Sequence, residues 1–198
     1  WNKFSNKLTF TDFLSRFFGS SRKKISMVVL GLDNSGKTTL ISHLKPESGG
    51  KVFESTPTVG FTVEKIQKGN IDFTVFDMSG QSTYRGLWEA YYTDVSAIIW
   101  VLDSSDKLRI TLAKHELQLL LAHGELQQRK IPILVFANKM DAKNSLSPVE
   151  CMQLLGLDSI TDKPWHITAS NALNGDGVDD GIQWLGESVK KLELWNRK

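Results

Sequence analysis

Gly31-Leu32-Asp33-Asn34-Ser35-Gly36-Lys37-Thr38 is an unbroken G-x-x-x-x-G-K-[ST] run. A strand-like segment, Ile25–Leu30, precedes it, and a helical pattern from about Thr38 to Leu44 follows. In that setting backbone N–H groups wrap a polyphosphate at a helix amino terminus, where the dipole favours negative charge. Gly31 and Gly36 permit the close turn, Lys37 reaches the β and γ phosphates, and the Thr38 hydroxyl ligates Mg²⁺. Asp33, Asn34, Ser35 and Thr39 complete the candidate phosphate contacts. A chance glycine-rich turn gives no reason for Lys-Thr at that offset.

A phosphate loop alone does not separate an ATPase or small-molecule kinase from a GTPase. Asn138-Lys139-Met140-Asp141 does, because it follows the strand-like Ile133–Ala137 at a carboxyl edge, where open α/β sheets bind ligands. A carboxylate there accepts both N1–H and the exocyclic amine of guanine, a donor pair adenine lacks. Asp77-Met78-Ser79-Gly80-Gln81 adds a γ-phosphate sensor. Asp77 would hold Mg²⁺ through water, the Gly80 backbone would approach the γ-phosphate, and Gln81 would orient the attacking water. Thr58, in Thr56-Pro57-Thr58-Val59-Gly60, is the second candidate hydroxyl on Mg²⁺. The chemistry expected is hydrolysis of GTP to GDP and phosphate. No arginine near these loops reads as an internal finger, so turnover is slow until an activating protein supplies a charge worth about 10³–10⁵ in rate.

These residues need a sheet to carry them. From residue 25 onward, apolar runs of strand length (Ala97–Leu102, Ile133–Ala137, Trp165–Thr168) alternate with helical patterns (Tyr84–Tyr92, Leu108–Leu121, Ser147–Leu155, Val178–Leu194). Phe61–Gln67 and Ile71–Phe76 flank Gly69-Asn70 and read as an antiparallel hairpin. The alternation predicts one α/β domain over 25–198, a mostly parallel six-stranded sheet with helices on both faces. With 198 residues and 40% hydrophobic content the chain suits one folded domain. No run approaches the roughly 18 apolar residues of a membrane span. The single Cys151 and the lack of an apolar leader point to a cytoplasmic, reducing setting.

Charge divides the chain. Residues 1–24 carry six basic side chains against Asp12, a net of +5, while the remainder is net −3. The acidic body argues against nucleic acid, and the arm is the candidate for an anionic surface. Phe10, Phe13, Leu14, Phe17 and Phe18 recur at helical spacing, with Asp12 and Arg16 opposite. They predict an amphipathic helix, either packed on the domain or lying in a membrane interface.

The motifs GLDNSGKTT, PTVGF, VFDMSGQ…YRGLWEAYY, NKMD and SNALNGDG, in this order, resemble the Arf and Arf-like small GTPases from about residue 25 to 190. The resemblance implies the small-GTPase fold of P-loop NTPases with a hairpin that shifts register when GTP binds and expels the amino-terminal helix. It implies that Ser170, Asn171 and Ala172 form the loop against guanine, beside Asn138, Lys139 and Asp141. It implies a monomeric switch with an exchange factor and an activating protein, on membrane through residues 10–24 in its GTP state. Its effector would be a coat or adaptor docking on Phe61, Phe76 and Tyr91. The likeness is to the branch that recruits the BBSome coat, which implies cilium or basal body. Two features depart from the family: Ser79 stands where most members have Gly, and the chain opens with Trp1 in place of Met-Gly. Rival readings are a GTP-binding module of another Arf-like branch without significant hydrolysis, a P-loop kinase, and, for the three aromatics, plain core packing.

Overall fold

Ala97–Leu102 is apolar at every position, which suits a strand covered on both faces. The computed structural model, which describes residues 23–45, 56–68 and 71–195, places it inside a six-stranded sheet. The elements run β1 (Lys23–Leu30), α1 (Lys37–Leu44), β2 (Phe61–Lys68), β3 (Ile71–Met78), a 3₁₀ helix (Ser82–Tyr91) and β4 (Ala97–Asp103). They continue with α2 (Ile110–Ala122), α3 (Gly124–Gln127), β5 (Ile133–Asn138), α4 (Pro148–Leu155), a 3₁₀ turn (Leu157–Ser159), β6 (Trp165–Ala169) and α5 (Val178–Trp195). Strand order is β2-β3-β1-β4-β5-β6, with β2 antiparallel to β3 and every other pairing parallel.

The hairpin is present, pairing Phe61 with Met78 and Lys68 with Ile71. Its turn at residues 69–70, the loop 46–55 and the arm through residue 22 lie outside the described residues. Lys23 and Lys24, grouped with the arm by charge, belong to β1 and pair with Ile71 and Asp72.

Side chains alternate across the sheet as a period of two requires. Ile25, Met27 and Val29 join Ile99, Val101 and Phe136 in a core under α1 and α5. Val28, Leu30, Trp100, Leu102 and Val135 face the other way, under the 3₁₀ helix, α2 and α4. Helix α4 starts on a capping box, Ser147 with Glu150, with Pro148 in its first turn and Gly156 left-handed after it.

The segment after Gln81 departs from the expected α pattern by winding as 3₁₀. Arg85 and Trp88, three residues apart, both reach back to donate to the Gly80 and Ser79 carbonyls. A period of three puts such side chains on one line.

The motif loops gather on one edge: those after β1, β3, β5 and β6 leave carboxyl ends of strands, and the Thr58 loop enters the amino end of antiparallel β2 there. The sheet's order turns at the β1–β4 pair, the switch point where such folds bind ligands. There Gly31 has φ +138°, and a Cβ on it would stand 2.2 Å from the Val101 carbonyl oxygen. Only glycine lets the phosphate loop turn so close to β4.

Candidate active site

A cleft of about 660 Å³ opens at this edge. At its phosphate end stand Asp33, Asn34, Gly36, Lys37, Thr38 and Thr39. Asn34 is left-handed at φ 60°, a conformation asparagine tolerates. Lys37 is buried and donates from Nζ to the Leu32 carbonyl at 2.8 Å. Burial pushes its ammonium down to about 8, against the pull of Asp77 and Asp33. Ser35 stands behind the cleft, its Oγ buried and without a hydrogen-bond partner among the described residues.

At the centre, Thr38 Oγ1 donates to Asp77 Oδ2 at 2.6 Å and lies 3.0 Å from Thr58 Oγ1. Two ligands at right angles on Mg²⁺, each about 2.1 Å away, are about 3.0 Å apart. With the Thr38 proton given to Asp77, the oxygen lone pairs remain for a cation. Asp77 Oδ1 is buried with no hydrogen-bond partner among the described residues, and burial raises this carboxyl above its usual range despite the Thr38 hydrogen bond and Lys37. Hard oxygen donors beside an under-compensated carboxylate fit Mg²⁺, and Thr38 and Thr58 are the residues that would hold it. Gly80 and Gln81 form the wall next to them.

At the base end, Asn138, Lys139, Asp141, Asn171 and Ala172 line the cleft. Asn138 is 1% exposed and acts as a joint between loops. Its Nδ2 donates to the Ser35 carbonyl at 2.8 Å, and its Oδ1 accepts from Ala172 N–H at 3.0 Å and Ser170 Oγ at 3.2 Å. Ser170 therefore supports the cleft from behind. Lys139, left-handed at φ 63°, pairs with Asp103 at 2.8 Å. Burial alone would raise the Asp103 carboxyl, but Lys139 and Ser105 more than offset it, leaving it below the usual range. Asp141 is exposed at the cleft.

Sequence reading missed part of this support. Thr56, Pro57, Ala142 and Leu173 also line the cleft. Asp103 ends a strand on the functional edge, a signal that would have found it. Arg109 grips Asp33 at 3.1 Å, and Arg85 approaches it at 3.8 Å while bonding Glu116 at 2.6 Å. Both guanidinium groups are engaged with protein carboxylates. Nothing local marks these pairs.

Phe61, Phe76 and Tyr91 come together outside the cleft, with Tyr91 5.0 Å from Phe61 and 4.8 Å from Phe76 between ring centres. Phe61 is 39% exposed and the other two are half-buried. Trp88, by contrast, is core, edge-on to Trp100. His166 stacks on Trp184 and His123 accepts from Glu125 N–H, both structural roles.

A triphosphate read at its phosphate end and its base end, across the switch point of a sheet with one antiparallel edge strand, is the business of the small GTPases. The profile of the ADP-ribosylation factor family matches residues 10–189, and the chain belongs to that family. It is 50% identical over 182 residues to ADP-ribosylation factor-like protein 6 of Danio rerio, covering 92% of this chain and 97% of that protein. The protein of the same name in Caenorhabditis elegans is 41% identical over 183 residues, 92% of this chain and 95% of its own length. The solved structure of the Arl6 BBS3 small GTPase from Trypanosoma brucei, with bound nucleotide analogue GppNp, is 44% identical with a TM-score of 0.79. It covers 85% of this chain and 98% of that one. The chain is thus an Arf-like GTPase that takes GTP, GDP and Mg²⁺ and hydrolyses GTP.

Proposed function

We propose that the chain is a membrane-cycling switch whose GTP form recruits a BBSome-like coat or adaptor through Phe61, Phe76 and Tyr91. The observation that carries this reading is connectivity. Phe61 lies three residues from Thr58, and Tyr91 closes the 3₁₀ helix that begins right after Gln81. A change at the γ-phosphate thus reaches the aromatic cluster along both segments. The same segments also expose Val59, Val63 and Leu87.

In hydrolysis, water attacks the γ-phosphorus, its bond to the β–γ bridging oxygen breaks, and GDP and phosphate leave. Gln81 orients the water, Lys37 neutralises charge on the β and γ oxygens, and Gly80 offers its backbone to the γ-phosphate. Mg²⁺, when held by Thr38 and Thr58, supplies further charge neutralisation at the phosphates. Asp141 reads the guanine edge, with Asn171 and Ala172 beside the base. An activating protein and an exchange factor drive the cycle. The arm, residues 10–22, serves as the anchor, a weak one that a single amphipathic helix gives. The likeness to the Arl6 proteins points to the cilium as the place of work.

Reconstitution tests this. Anionic liposomes, the full chain and a purified BBSome are floated with GppNp or with GDP. Chain and coat should float together only with GppNp, and Phe61→Ala, Phe76→Ala or Tyr91→Ala should release the coat while the chain stays. A loss of about 2 kcal/mol or more in coat affinity is expected at a hot spot. Equal flotation with GDP would contradict the reading.

A further inference from the structure

Ser79 lines the cleft although it is only 2% exposed. Its three polar groups engage three different segments. Its N–H donates to the Gly60 carbonyl at 2.9 Å, its carbonyl accepts the Trp88 indole N–H at 3.0 Å, and its Oγ accepts the Gln81 N–H at 3.3 Å. A hydroxyl accepting from the N–H two residues on closes a local turn that fixes the backbone between them.

The hold continues downstream. The Gly80 carbonyl accepts from Arg85 Nε at 2.9 Å, and the Gln81 carbonyl from the Tyr84 N–H at 2.9 Å. Gln81 is bonded at its N–H and its carbonyl, in an extended conformation with φ −64° and ψ 137°. Gly80 cannot take over the role of Ser79 with a side chain, because a Cβ there would sit 2.2 Å from the Leu32 carbonyl carbon.

We propose that Ser79 is a positioning residue for hydrolysis: its side-chain oxygen fixes the Gln81 backbone so that the Gln81 side chain meets the attacking water in one orientation. This rests on the reading of Gln81 as the group that orients water. Ser79 touches neither water nor phosphate in this role. It removes conformations that Gln81 would otherwise have to give up at the moment of reaction. Ser79→Ala keeps the Cβ and the backbone bonds to Gly60 and Trp88 but deletes the acceptor for Gln81. The loss of one ordinary hydrogen bond corresponds to about fivefold in rate.

The test is single-turnover GTP hydrolysis by the full chain with Mg²⁺, comparing wild type, Ser79→Ala, Ser79→Gly, Gln81→Leu and the Ser79→Ala/Gln81→Leu double variant. GTP and GDP affinities and thermal midpoints are measured in parallel. Ser79→Ala should slow hydrolysis about fivefold with unchanged nucleotide affinity, and Ser79→Gly at least as much. Ser79→Ala should add nothing in the Gln81→Leu background, since residues acting through one another are non-additive. An unchanged rate in both Ser79 variants overturns the proposal. So does equal slowing in the Gln81→Leu background, or a fall in affinity or midpoint with the rate intact. Gln81→Leu hydrolysing at the wild-type rate identifies a different failure, that of the Gln81 reading itself, and removes the proposal with it.

Discussion

Lys37 holds its proton less firmly than a lysine in water, because burial depresses it from 10.5 to about 8. Between those values the nucleotide-free fold binds fewer protons than the unfolded chain, so its stability rises with pH across that window. A polyphosphate beside the ammonium reverses the shift by Coulomb attraction. Nucleotide binding should therefore take up a proton above about pH 8, and affinity should fall as pH rises further. Titration calorimetry in two buffers of different ionisation enthalpy checks it, at about pH 8.5 and about pH 7. Buffer-dependent heats are expected at the higher pH, and identical heats there would exclude proton uptake. At this scale the phosphate loop was legible because its chemistry sits on adjacent residues. Asp33 was legible as a loop residue, but its pairing with Arg109, 76 residues away, was not. Asn138 was read as a nucleotide contact; it lines the cleft, and that its carboxamide also joins the loops of Ser35 and Ala172 was not legible.

Strands and α helices were legible where periodicity and caps agree, as in α4 with Ser147, Pro148 and Glu150. The 3₁₀ helix was not, because its winding follows the tertiary bonds of Arg85 and Trp88. Its far end is held by another distant residue. Arg129 donates to the carbonyls of Tyr92 at 2.5 Å, Thr93 at 3.2 Å and Val95 at 2.6 Å, the stretch joining the 3₁₀ helix to β4. Side-chain cations on such carbonyls replace the partners a helix end lacks. Arg129→Ala should lower stability by about 2 kcal/mol, since charged hydrogen bonds are lost and carbonyls left bare. A lower urea midpoint with an unchanged slope would bear this out. A midpoint equal to wild type would mean that solvent replaces the arginine without cost.

The layered architecture follows from the apolar runs of β4 and β5, each buried along its whole length. Such strands demand helices on both faces, and the carboxyl edge then gathers every motif loop in one cleft. What the sequence could not convey is the route from cleft to surface. Thr58 lies beside Thr38, Gly60 bonds Ser79, and Trp88 bonds Ser79 from the helix that carries Tyr91. The switch surface is thus tied to the phosphate end by a few bonds, while α4 and β6 are remote from them. Hydrogen–deuterium exchange on the Mg²⁺ complexes with GDP and with GppNp measures that coupling directly. Residues 56–68 and 79–91 should exchange more slowly with GppNp, and residues 147–169 alike in both complexes. Identical exchange across 56–68 and 79–91 in the two complexes would contradict a nucleotide-gated surface.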